Sequence, residues 1–448
     1  MPRRKIRPNL DVDITWDDVN NKPSVITGSG TTNNIPKFTG TDAIGDSSIV
    51  DSTNLTFSKN VDFAKYKAIA MACDNGSTLP TSPVIGQWFL HTPSGRKVLM
   101  MYDGSSWIPI ISLESMTLYV DDANGTDSQD KGYGTGANAF KTIQYAINQI
   151  PGQYSGNVYI NIASGTYSGF TVQGKYPTGN YYIYINGTLQ TNYTGTITSG
   201  TTGSVENYCT ITVSGAGWTP NQWVGYLAHW NNQTSVIISN TADTLTVVGY
   251  SSSTPSGNLT IQSQLTNINT HSYIYCDFVY LQNLYINNIS VFFRAATNNV
   301  IRYCKIRFNN QGGIYFLNNS YVVMFSNFVL CGGSLYSLIE CGDSIISFGN
   351  CYINNTGTGL IAIKVYNSGS LYVEYGVLAI NGFNTGINAH NNSTLWFYYN
   401  DTSRHRITNN SYGIYLTKGA KTVFAEYLYY SGNTTNYYAE ASSYAYYG

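Results

Sequence analysis

The chain has 448 residues, 42 % of them hydrophobic and only 10 % charged, with 23 Lys+Arg against 24 Asp+Glu. That near-neutral balance excludes binding driven by nucleic-acid phosphates, which needs a basic surface, and the apolar content excludes global disorder. No apolar run approaches the ~20 residues that span a bilayer; in place of charge stand 43 Gly, 40 Tyr and 48 Asn.

The start is basic, with Arg3, Arg4, Lys5 and Arg7, but no apolar stretch follows, so it does not read as a secretory leader. Residues 14–24, around Trp16, are similar to a short segment common in phage tail fibres. Residues 31–38 with 44–49 resemble the intertwined trimeric stalks of such fibres. The resemblance implies a virion-attachment segment over 1–30, in which Arg3, Arg4, Lys5 and Trp16 anchor the chain to a capsid or tail protein. Residues 31–115 then read as stalk plus a small β-module: the turns Ser94-Gly95 and Asp103-Gly104 flank the apolar run Val98–Tyr102.

Charge then thins out. Residues 1–115 carry 11 basic and 11 acidic side chains, whereas 142–448 carry 10 and 9 in a stretch almost three times as long. The shift places a domain boundary near Ser112–Met116. Within 139–150, Phe140, Ile143, Ile147 and Ile150 share one helical face, and Pro151 ends the helix. An alternating strand, Val158–Ile162, and the turn Gly165-Thr166-Tyr167 follow. The run Leu118–Asp127, this helix, the strand and Gly-Thr-Tyr together resemble the opening of pectin-lyase-like β-helices in phage tailspikes. The resemblance implies that helix 139–150 caps the N-terminal end of a coil.

Residues 214–264 break the pattern and hold Trp218, Trp223 and Trp230. They read as a β-rich insert whose tryptophans form either a mini-core or an exposed platform for sugar rings. Beyond it the sequence repeats. Gly359, Gly386 and Gly413 are 27 residues apart, each followed by alternating residues, an Asn/Gly/Ser turn and a second short strand. A β-only unit of this length cannot bury its own apolar face, but stacked units share a core. The expected architecture over 116–448 is a right-handed parallel β-helix of about ten rungs, ~50 Å long at ~4.8 Å per rung. The recurrent Asn and Cys then read as stacks inside the coil. The seven cysteines form no metal-ligand spacing and read as reduced, buried side chains. No metal and no cofactor are expected.

Chemistry, if present, falls to paired carboxylates, the tool of glycosidic cleavage. Aligning Leu371, Leu395 and Val423 as inward residues puts Glu374, Tyr398 and Glu426 in one outward column, the two glutamates ~9.6 Å apart. Beside them run Tyr372, Trp396 and Phe424, a stripe able to stack on sugar rings, and Arg404 and Arg406 offer contacts to acidic sugars. The resemblance thus implies a homotrimeric virion appendage that binds a host surface glycan, without nucleic acid or membrane insertion. Its alternatives are a depolymerase using Glu374 and Glu426, and a purely structural or decorative fibre.

Overall fold

A computed structural model describes the backbone of 34–38, 44–50 and 56–57, and everything from Cys73 on except 94–96, 204–207, 249–252, 310–311, 334–335, 374–375, 399–404, 424–427 and 447–448. The chain divides into two compact units, Met1–Ala72 and Cys73–Gly448. In the first, Asn34–Phe38, Ile44–Val50 and Thr56–Phe57 pair as an antiparallel sheet.

The second unit is a parallel β-solenoid of about eleven turns. Three parallel sheets form its walls. The first has eleven strands, from Met116–Val120 to Tyr444–Tyr446. The second runs from Gly165–Tyr167 to Leu428–Ser431 and the third from Thr171–Val172 to Thr435–Ala439, nine strands each. Alternation in the sequence decides which way each side chain points. In the first sheet Leu118, Ile160, Ile185, Leu281, Ile301, Met324, Phe348, Val373 and Phe397 lie directly above one another, all buried. In the third sheet Phe293 and Phe316 stack at 5.4 Å within the coil. Such columns remove a continuous apolar stripe from water, which no single rung could do.

The corners explain the Asn and Gly content. Between the first and second sheets Asn283, Tyr303, Ser326, Asn350 and Gly376 all adopt positive φ, from 51° to 97°. This is a region that Asn and Gly enter at least cost. Cysteine does not form one stack. Cys304 and Cys351 flank Asn327 in one column: Asn327 Oδ1 accepts from Cys304 N at 3.0 Å, and its amide lies 3.8 Å from Cys351 Sγ. Cys331 sits in the second sheet and Cys341 in the third. Burial pushes the Cys304 thiol up to about 12. The asparagine ladders, such as Asn161–Asn186 and Asn354–Asn381 at 3.1 and 2.8 Å, run along the half-buried wall rather than inside the coil.

At the N-terminal end the helix is Ile143–Asn148, shorter than the 139–150 pattern. Phe140 is held instead by the first wall, its N–H donating to Tyr119 O and its carbonyl accepting from Asp121 N. Asp127 then accepts from the Lys141 and Thr142 N–H groups, and Thr142 caps the helix. Phe140, Ile143, Ile147 and Ile150 are all buried. The module Asp74–Ser112 joins the same unit: its strand Trp107–Ser112 pairs in parallel with Gln153–Tyr154, which pairs with Tyr176–Pro177. The break drawn near 115 in the sequence does not interrupt this sheet.

The insert begins earlier than the 214–264 break. Leu189–Thr196 pairs antiparallel with Asn258–Gln264, closing a seven-stranded sheet at the corner between the first and second walls. Its own core includes Cys209, Ile211, Trp218, Trp230, Ile237, Leu245 and Ile261. Its underside covers the second wall. Leu227 and Val236 pack on Phe328, and Val248 packs on Val377 and Ala379.

Candidate functional site

With the second wall covered over this span, the outward faces of the first and third walls are the surfaces to weigh. Glu374, Glu426, Phe424 and Arg404 lie outside the described residues, as do Arg3, Arg4, Lys5 and Trp16. The alignment that set Glu426 in line with Glu374 needs correction where it can be followed. Leu371 stands opposite Leu395, but Leu395 stands opposite Thr422, and Val423 opposite Trp396. Hydrophobicity favours Val as the inward residue. The turn length overrides it: Val365 to Ser370, Ala389 to Thr394 and Leu416 to Lys421 are equal steps, so register is kept and Thr422 is carried inside. Its hydroxyl is buried there without a hydrogen-bond partner.

Tyr372, Trp396 and Tyr398 do come together. Their ring centroids are mutually 6.0, 6.1 and 6.3 Å apart and their planes agree within 11°. Tyr372 and Trp396 occupy matched positions of adjacent rungs, and Tyr398 follows two residues later on the same face. Tyr398 is exposed and the other two are half-buried. Earlier in the same outward column stand Tyr159, Tyr184 and Tyr280, 4.9 Å apart per step, the first pair stacked and the second tilted by 35°; the column narrows to Val300, Val323 and Ser347 in between.

Arg406 is not where a glycan contact requires it. It is buried, with its guanidinium 4.3 Å from the Tyr208 ring centroid and 5.2 Å from that of Tyr429. It fastens the insert to the second wall. The neighbouring His405 is also buried, with Nε2 3.2 Å from Tyr398 O; burial lowers its pKa to about 4. The tryptophans of the insert are a mini-core and not a platform. Trp218 and Trp230 are buried, and Trp218 meets Trp223 edge-on at 6.5 Å.

The third wall carries a column that sequence reading passed over: Tyr273, Phe292, Tyr315, Glu340, Lys364, Asn388, Tyr415 and Tyr438, in register from rung to rung. Tyr273–Phe292–Tyr315 stack at 5.0 and 4.8 Å. Glu340 accepts from the Ser337 hydroxyl. Lys364 Nζ lies 5.1 Å from both the Tyr336 and Tyr366 rings, and His390 stacks on Tyr366 at 5.7 Å. Desolvation first, then Lys364 and Lys418, lower the His390 pKa. The glycine-phased repeat contained part of the signal. Two residues after Gly386 and Gly413 stand Asn388 and Tyr415, neighbours in this column, whereas Ile361, two after Gly359, pairs with Thr385 outside it.

Among the described residues no group of three His, Cys, Asp or Glu could hold a metal ion, and no helix is long and apolar enough to cross a membrane. No family model matches the chain, and no curated protein matches it. Solved structures similar to it include three tailspikes, each at 11 % identity. The first is the gp54 tailspike of the Acinetobacter baumannii bacteriophage AP22, solved in complex with A. baumannii capsular saccharide. Its match covers 59 % of this chain and 65 % of that one, with a TM-score of 0.18. The second is the gp61 tailspike of Pseudomonas phage phi297, covering 64 % and 72 % at a TM-score of 0.19. The third is the tailspike gp49 of Pseudomonas phage LKA1, covering 73 % and 68 % at 0.20. The chain thus spans just under two thirds of the length of the first.

Proposed function

We propose that this chain is a phage virion spike or fibre that binds a host surface glycan without cleaving it. The particle end is the basic N-terminus with Arg3, Arg4, Lys5 and Trp16, and three copies assemble. The sequence of 14–49 and 116–170 supports the virion reading. The observation that carries glycan binding is the Tyr372–Trp396–Tyr398 triad. Three nearly parallel rings on a rigid wall offer apolar area at little entropic cost, and sugar C–H faces stack on such rings. The uncharged Asn/Tyr surroundings supply donors and acceptors for hydroxyl groups.

The test is a microarray of bacterial capsular and O-antigen polysaccharides probed with the labelled full chain. Binding to a defined polysaccharide, lost in Trp396→Ala, is the expected result. Binding unchanged in Trp396→Ala removes this face from the reading. A second reading, polysaccharide cleavage, draws on the Glu340 cluster, where one carboxylate lies beside Ser337, Tyr366 and Lys364. Release of oligosaccharide from the bound polysaccharide, abolished in Glu340→Gln, would replace adhesion by hydrolysis.

A further inference from the structure

A second, smaller site lies where the insert meets the solenoid. Trp230 and Gln233 close a hairpin whose tip, Asn231-Asn232, has positive φ at both positions, the two-residue turn that suits a twisted hairpin. This tip faces the corner formed by Arg302, Tyr303 and Phe325. Between them is a cleft of about 280 Å³, lined by Trp230, Asn232, Thr234, Arg302, Tyr303 and Phe325 among others.

Two of these groups are donors without acceptors. The Trp230 side chain is 3 % exposed, and its Nε1–H has no hydrogen-bond partner; the Nε–H of Arg302 is likewise buried and unpartnered. Neither group can accept a hydrogen bond, so a ligand that reached either one would have to bring an acceptor. Arg302 is the one charged residue of the lining, and no carboxylate offsets it. It is held in place, with the guanidinium 4.3 Å from the Tyr303 ring centroid and 5.8 Å from that of Phe325 and a hydrogen bond to the Tyr303 hydroxyl. A cation in a lining that holds no carboxylate selects an anion. The volume is below that of sites for drug-sized ligands, and the flanking rings suit a sugar ring.

We propose that this cleft binds the carboxylate of a single acidic sugar, a hexuronic acid unit within a surface glycan. The inference rests on the glycan-binding reading and specifies it. Arg302 sits one rung beyond Gln282 on the first wall, whose outward column carries the Tyr159–Tyr184–Tyr280 ladder. A polysaccharide lying along that wall could therefore turn one acidic unit into the cleft.

The experiment compares methyl β-glucuronide with methyl β-glucoside, which differ only at C6, by saturation-transfer NMR and titration on the full chain. The glucuronide is expected to bind at least tenfold more tightly than the glucoside. Trp230→Phe and Arg302→Gln should each weaken it at least tenfold, with circular dichroism still reporting the folded β-rich chain. Equal binding of the two glycosides overturns the proposal. So does glucuronide binding that both cleft variants retain, and so does displacement by equimolar inorganic phosphate. Should Arg302→Gln fail to fold, Trp230→Phe decides alone, since it removes the N–H donor and keeps an aromatic ring at that position. Failure here, with polysaccharide binding still lost in Trp396→Ala, sinks the cleft and spares the spike reading. Glucuronide binding with no polysaccharide captured on the array does the reverse.

Discussion

The solenoid and the insert arrange aromatic rings differently. In the solenoid, parallel in-register strands set equivalent residues one rung apart, so rings stack face to face at the rung spacing: Tyr273–Phe292 at 5.0 Å and 6°, Phe292–Tyr315 at 4.8 Å and 13°, Tyr415–Tyr438 at 4.7 Å and 16°. In the antiparallel insert no such translation exists. Its rings meet edge-on: Tyr193–Trp218 at 81°, Trp218–Trp223 at 90°, Trp223–Tyr226 at 74°. One region is a one-dimensional stack in which each rung depends on its neighbours. The other is a small core of its own, attached by its underside. The two arrangements therefore should fail differently when cut.

The sharpest cut is Phe316→Ala. This ring is fully buried and stacked on Phe293, and its loss should cost about 3–5 kcal/mol. Because rungs are coupled, the whole unfolding transition measured by denaturant and circular dichroism should move. Trp218→Ala removes a comparable volume from the insert, at a cost of about 3 kcal/mol. Here hydrogen exchange should quicken within 189–264 while the solenoid amides stay protected; solenoid amides exchanging in step would show that the insert is not an independent core.

Acid should act through a buried histidine of the second wall. His405 is neutral in the fold, its pKa lowered to about 4 by burial, against ~6.5 unfolded. Between those values the unfolded chain binds more protons. Stability should be full above about pH 6.5, fall by on the order of 3 kcal/mol as pH drops towards 4, and level off below. Denaturant titrations at pH 7 and 4.5 measure this, and His405→Gln should flatten the difference. Asn327→Ala is milder. It removes a buried amide that accepts from Cys304 N and donates to Ile301 O, leaving a buried N–H unpartnered at about 1–3 kcal/mol. Trp396→Ala should be smallest in stability, within about 0.5 kcal/mol, because its ring is on the outside of the wall. A loss of several kcal/mol there would mark the triad as structural support rather than a binding face.

The fold was legible because its rule is local. Alternation in Val158–Ile162 or Leu371–Val373 decides which side faces the coil, and the repeat length decides that strands stack rather than fold back. The site was legible in part. Tyr372 and Trp396 were within reach since they lie on two matched strands, with Tyr398 just past the end of the second. The outward column of the third wall needed the glycine-phased repeat read through to register, which polarity alone does not supply.

What the sequence determined by itself is the period: the apolar alternation, the Asn and Gly corners that tolerate positive φ, and hence a stacked coil. Tertiary structure decided the rest. Turn length carried Thr422 inside in place of Val423, and the insert, extending back to Leu189, covered the second wall and buried Arg406 against Tyr208. It also made the cleft between Trp230 and Arg302, from residues 72 positions apart. The reason is physical. Side-chain alternation is encoded within a strand, whereas the register between rungs and the docking of an insert depend on turn geometry and on surfaces that exist only once the coil has formed.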